Sequence, residues 1–135
     1  MPSFSAASER QIATLHPDLQ RVLREAIKYF DFTVLEGHRG KEAQDAAVAK
    51  GASKTPWPTS KHNKLPSLAV DIAPYPVDWR EELKALERFS ILAGVIHTVA
   101  QQLGVNVRWG HDWNQNWDTR DENGLQDRPH FELVL

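Results

Sequence analysis

The chain has no cysteine. That absence removes disulfides, thiol nucleophiles and thiolate metal sites, so a tightly held metal must sit on histidine, aspartate or glutamate. It also leaves the redox compartment open. Long apolar runs are missing too: no stretch approaches the roughly 18 consecutive apolar residues of a membrane span, and no membrane insertion is expected. The opening MPSFSAASER carries neither the basic flank nor the apolar stretch of a secretory signal, which implies synthesis in a cytoplasm without an export address. Nor does charge of one sign dominate. Sixteen Lys and Arg face eighteen Asp and Glu, for a net charge of −2, and no basic block occurs, so no nucleic-acid partner is expected.

What remains is the composition of an ordinary globule. Hydrophobic residues make up 41% and charged residues 25% of 135 positions, enough for one buried core without covalent staples. Residues 1–135 are therefore expected to form a single domain. Within HPDLQRVLREAIKYF, the residues Leu19, Val22, Leu23, Ala26, Ile27 and Phe30 form one helical stripe, and Pro17 suits a first turn. A strand over Phe32–Leu35 and a loop through Gly37, His38, Arg39 and Gly40 should follow. The Ala-rich KEAQDAAVAK reads as a helix that Gly51 ends. Pro56, Pro58 and Pro66 forbid a long regular element over 51–66.

SLAVDIA alternates, with Leu68, Val70 and Ile72 against Ala69, Asp71 and Ala73, as a strand does. Asp78 and Glu81 have the spacing of a capping box, and the pattern from there to Gln102 is helical, with a break expected near Ser90 and Gly104 as its end. VNVRW is a further β signal, residues 110–128 are loop-like, and HFELVL ends the chain as a strand. Strands and helices mix without strict alternation, which points to an α+β domain with a small antiparallel sheet flanked by helices.

Three segments hold metal-capable side chains on elements able to converge: His62, Asp71 and His130. Asp71 shares its strand face with two alanines, which leave room, and His130 lies opposite the apolar face of the terminal strand. Two imidazoles and one carboxylate with an open fourth position would make a catalytic zinc shell. Spacing alone leaves the alternative open, since a polar residue on a strand's open face is commonly just solvated.

SKHNKLPSLAVD resembles the Ser-x-His…Ala-x-Asp signature of the zinc-dependent D-alanyl-D-alanine carboxypeptidase and L-alanyl-D-glutamate endopeptidase superfamily, and DRPHFEL resembles its closing acid-x-x-His motif. RWGHDW is similar to the Trp-Gly-Gly-Asp-Trp stretch of the phage endolysin branch, with His111 at the second Gly. LHPDLQRVL resembles the first helix, and GHRGKEAQDAAVAKG resembles the Gly-x-Arg…Gln segment between. The sequence departs from the pattern at Ser67, where a Gly is usual, and in a His62-to-Asp71 segment two residues longer than the commonest version.

The resemblance implies a Hedgehog/DD-peptidase-like fold and one catalytic zinc on His62, Asp71 and His130. It further implies Asp127 as the catalytic carboxylate, Arg39 facing the substrate carbonyl or carboxylate, and Ser60 as a supporting group. The implied activity is hydrolysis of the peptidoglycan stem peptide at the L-alanyl-D-glutamate bond, as in phage endolysins. D-alanyl-D-alanine carboxypeptidase or dipeptidase action is the enzymatic alternative, and a zinc-stabilised binding module the non-enzymatic one. The expected partner is bacterial peptidoglycan, met by a monomer with no separate wall-binding module. The expected location is the host cytoplasm until a membrane lesion opens the way to the periplasm and wall.

Asp127 and His130 can face one centre if Arg128-Pro129 makes a tight corner. The remaining histidines read as a helix entry (His16), a packed or solvated helical residue (His97) and, for His111, either a residue lining the site or, more plainly, a spare loop residue. Trp109, Trp113 and Trp117 suit either a platform for a glycan-linked peptide or internal packing. In DWNQNWD, Asp112, Asn114, Asn116 and Asp118 recur at every second residue, as oxygen ligands do in a Ca²⁺ loop. Trp117 stands where such a loop has Gly, and no Glu occupies the twelfth position, so a solvated acidic loop is the plainer reading.

Overall fold

The apolar stripes and alternating segments sort onto two layers in the computed structural model, which describes residues 2–122 and 126–135. The helices among these residues are α1 (Ala6–Ile12), α2 (Pro17–Ala26), α3 (Lys41–Ala49) and α4 (Leu83–Leu103). The strands are β1 (Phe32–Glu36), β2 (Ala69–Pro74), β3 (Val107–Trp109) and β4 (His130–Leu133). In α2, Pro17 occupies the first turn, and His16 Nδ1 accepts the Asp18 N–H, so His16 does serve the helix entry. Leu19, Val22 and Leu23 of α2 and Leu92, Ile96 and Val99 of α4 are buried together with Val70, Ile72, Phe131 and Leu133 of the sheet. No helix among the described residues is long and apolar enough to cross a membrane.

The sheet is antiparallel throughout, in the order β1-β2-β4-β3. β4 lies between β2 and β3, and its register sets Asp71 directly opposite His130, with Val70 opposite Phe131 and Ala69 opposite Glu132. Because side chains alternate, Val70 and Phe131 face the helices while Asp71, His130 and Glu132 share the other face. The α+β arrangement expected from the sequence is the observed one.

Three local expectations need correction. α1 was absent from the expected elements; Ser5 starts it by accepting the Ser8 N–H, and buried Ser8 in turn accepts the Val34 N–H of β1. α4 starts at Leu83 without a side-chain cap, because Asp78 spends its carboxylate on the Arg80 backbone and guanidinium. α4 also runs unbroken through Ser90, which is exposed and costs the helix little, before Gly104 ends it at φ 70°.

Candidate metal centre and its groove

His62 is delivered by a short 3₁₀ turn, Lys61–Asn63, that the sequence sets up locally. Ser60 Oγ accepts the His62 N–H and Asn63 Oδ1 accepts the Ser60 N–H, a reciprocal capping box. Ser60 thus supports the backbone that presents the imidazole. The turn is tied to the 37–40 loop by Arg39 N–H donating to the His62 carbonyl (2.7 Å) and by the Asn63 amide donating to the Arg39 carbonyl. His62 Nδ1 meets the Gly37 carbonyl at 2.7 Å. A carbonyl only accepts, so Nδ1 carries the proton and Nε2 keeps its lone pair.

That lone pair points into a triangle. His62 Nε2, His130 Nδ1 and Asp71 Oδ1 stand 3.3, 3.3 and 3.4 Å apart. Bonds of about 2.0–2.1 Å at tetrahedral angles place ligand atoms about 3.3–3.4 Å from one another. All three residues are largely buried, and Asp71 Oδ1 has no proton donor in hydrogen-bonding geometry. An orphaned carboxylate oxygen between two imidazole nitrogens is costly without a cation, and this donor set fits a divalent metal. Among the described residues, His62, Asp71 and His130 are the group that converges in this way; Asp127 is not part of it.

The electrostatics agree. Burial works against the Asp71 carboxylate, but the imidazoles of His130 and His62 outweigh it and hold the group far below the usual range. Burial likewise disfavours charged His130, yet its contacts to Asp71 and Glu132 prevail and push it up to about 9.

Asp127 and His130 meet at the expected corner. The His130 N–H donates back to the Asp127 carbonyl (3.1 Å) around Arg128-Pro129, and the Arg128 carbonyl accepts from Trp109 Nε1 (2.7 Å). Gly110 lets β3 close against this corner. Its N–H donates to the His130 carbonyl and its carbonyl accepts the Asp127 N–H, both at 2.7 Å. A Cβ at Gly110 would overlap the Asp127 carbonyl and stand 2.9 Å from His130 Cβ. Burial first, then the nearby Asp71 charge, raises the Asp127 carboxyl above its ordinary value.

Arg39 sits in the wall of the same groove, its side chain 11% exposed. Glu36 grips it at 2.8 and 2.6 Å, Gln44 accepts from Nη1 at 2.9 Å, and Nη2 lies 3.6 Å from Asp71 Oδ2. The groove has a volume of about 600 Å³ and runs from the metal-capable triangle along α3. The alanines of α3 keep it open, and Lys50 and Lys54, which have no ion-pair partner among the described residues, border its far part.

The family model described as phage L-alanyl-D-glutamate peptidase matches residues 2–134. The chain belongs to that family. It is 36% identical over 138 residues to the L-alanyl-D-glutamate peptidase of Escherichia phage T5, with 97% of each chain covered. Its fold is similar to the crystal structure of the Serratia marcescens L-Ala D-Glu endopeptidase ChiX, with a TM-score of 0.74 and 31% identity over 98% of this chain and 90% of that one.

The other aromatic and histidine residues of this family member divide between groove and core. Trp113 lines the groove, its ring centroid 5.7 Å from that of His130. Trp109 stacks between Phe131 and Trp117, and Trp117 packs against His97 at 4.1 Å, so those two tryptophans and His97 serve packing. His111 is buried edge-on to Trp109 and outside the groove. Sequence reasoning missed Glu132, the Gly37 carbonyl and Gly110. Glu132 carried a readable signal, because it lies two residues from His130 on the same strand face. The other two act through backbone atoms, which residue type does not advertise.

In the 112–118 loop, Asp112 Oδ2 accepts the Trp117 N–H, Asn114 Oδ1 the Asn116 N–H and Asn116 Oδ1 the Asp118 N–H. Trp117 takes φ 59°, the left-handed conformation that Gly supplies at this place in a calcium loop. Asp112 is 1% exposed, and its Oδ1 has no hydrogen-bond partner. The twelfth position, residue 123, lies outside the described residues.

Proposed function

We propose that this chain is a zinc endopeptidase that hydrolyses the L-alanyl-D-glutamate bond of the peptidoglycan stem peptide, as a phage endolysin acting on the host wall once the membrane is breached. The observation that carries the reading is the near-equilateral 3.3–3.4 Å triangle of His62 Nε2, Asp71 Oδ1 and His130 Nδ1 on the wall of a groove that also contains Asp127. Family membership supplies the bond class.

Zinc bound there supplies Lewis acidity, polarising a carbonyl and letting water ionise near pH 7. The chain supplies the rest. Asp127 accepts a proton from the attacking water as the new C–O bond forms and the carbonyl electron pair moves to oxygen, then passes that proton to the leaving amine as the pair returns and the C–N bond breaks. Its raised affinity for protons suits it to both halves of that transfer. Arg39, steadied by Glu36 and Gln44, presents positive charge to the oxygen of the tetrahedral species. Lys50 and Lys54 are free to meet the carboxylates of an anionic stem peptide. Digestion of purified muropeptides followed by mass spectrometry is expected to expose free amino groups on D-glutamate; release of terminal D-alanine instead would establish the carboxypeptidase activity and refute this one.

A specific observation also favours a second cation, and we infer an oxygen-lined calcium-type site in the 112–118 loop. The left-handed Trp117 and the buried, partnerless Asp112 Oδ1 support it, offsetting the missing Gly that argued against it in the sequence. Calorimetric titration is expected to show Ca²⁺ binding that Asp112→Asn weakens. No heat at millimolar Ca²⁺ would dispose of the site.

A further inference from the structure

We propose that Glu132 is the positioning residue that selects the nitrogen of His130 facing the metal, and that Lys61 and Arg108 hold it to that task. The inference rests on reading His62, Asp71 and His130 as ligands. β4 carries His130 and Glu132 on one face, and Glu132 Oε1 lies 2.8 Å from His130 Nε2. An ionised carboxylate only accepts, so Nε2 keeps its proton and Nδ1, the atom in the triangle, is the nitrogen left for a metal.

The carboxylate is itself constrained. Its second oxygen, Oε2, takes Arg108 Nη2 at 2.9 Å and Nε at 3.3 Å from β3, and Lys61 Nζ at 3.2 Å from the turn that bears His62. Lys61 Nζ also donates to the Leu133 carbonyl of β4. Two cations on one oxygen leave the other for the imidazole. With the Arg108 guanidinium and the Lys61 ammonium both on Oε2, the carboxylate is held in its ionised, accepting form.

A purely structural ion pair has no need of the imidazole, and buried pairs roughly break even against apolar replacements. Here the pair ends on a ligand, and the same carboxylate clamps the His62 turn, β3 and β4. The two ligand histidines are consequently treated differently. His62 donates to a neutral carbonyl and His130 to an anion, which makes His130 the more electron-rich ligand.

The test uses the full chain, with zinc as the probe and a chromophoric chelator as competitor. Wild type is expected to bind one zinc, and Glu132→Gln, which preserves shape and removes charge, to bind it about 10–100-fold more weakly. Nitrogen-15 NMR of the zinc-loaded wild type is expected to show His130 protonated at Nε2 and metal-bound at Nδ1, a readout that a merely structural role would not require. A folded Glu132→Gln protein with wild-type zinc affinity overturns the inference. So does a zinc-loaded wild type in which His130 binds through Nε2, and that measurement decides the matter even if the variant fails to fold. A wild type that binds no zinc brings down the metal reading itself.

Discussion

Asp127→Ala is expected to retain a full complement of zinc while losing about 10²–10⁴-fold in the rate of stem-peptide cleavage, the usual share of a general acid–base. The separation of the two readouts follows from the geometry. Asp127 lies outside the convergent set of ligand atoms, so deleting its carboxylate leaves the triangle intact. Its backbone does the structural work, through the Gly110 and His130 hydrogen bonds, and alanine keeps both. Asp127→Asn is the stricter control, since it preserves volume and abolishes proton transfer. Metal analysis and single-turnover cleavage on the same preparation check the pair. A zinc-loaded variant that cleaves near the wild-type rate removes Asp127 from the mechanism.

His62→Ala is expected to lower zinc affinity by more than the roughly 10–100-fold typical of an outer-sphere partner, because one of three protein ligands disappears. The consequence reaches stability. At a free zinc concentration of 100 times the dissociation constant, wild type should gain about 2.7 kcal/mol and a raised Tm, and the variant should gain almost nothing at the same concentration. The pH dependence has a definite sign. In the metal-free protein His130 is pushed up to about 9, so at neutral pH zinc must displace a proton from Nδ1. Zinc affinity should therefore rise with pH until about 9 and level off above it. The stabilisation that the protonated imidazole lends the metal-free protein runs the other way, being complete below its ordinary value and lost as pH rises through about 9. Titration of zinc binding at several pH values tests both.

Two of the three metal-capable residues, Asp71 and His130, were legible because strand alternation is a local property. Asp71 between Ala69 and Ala73, and His130 opposite Phe131 and Leu133, each advertise an open face within a few residues. The Arg128-Pro129 corner was equally local. What could not be read was register: the hydrogen bonds that set Asp71 against His130 join residues far apart in sequence, and nothing in either segment specifies the partner. α1 has seven residues, too few for a helical period to declare itself, and its buried face is built on Ser8 and Ile12. The Asp78 carboxylate had the spacing of a cap, but Arg80 is a stronger claimant two residues on. The φ of 59° at Trp117 could not be read either, since a bulky residue seldom takes a left-handed backbone and its type gives no sign of one.

The position of β4 within the sheet has a consequence for synthesis. It comes last among the strands yet lies between β2 and β3, and it brings His130 with it. A nascent chain that has not yet emerged past residue 130 has His62 on its turn and Asp71 on β2, but the sheet is split down its middle and the third metal-capable side chain is missing. On the proposed metal reading, a chain cut short of β4 is expected to bind no catalytic zinc and to show no cleavage.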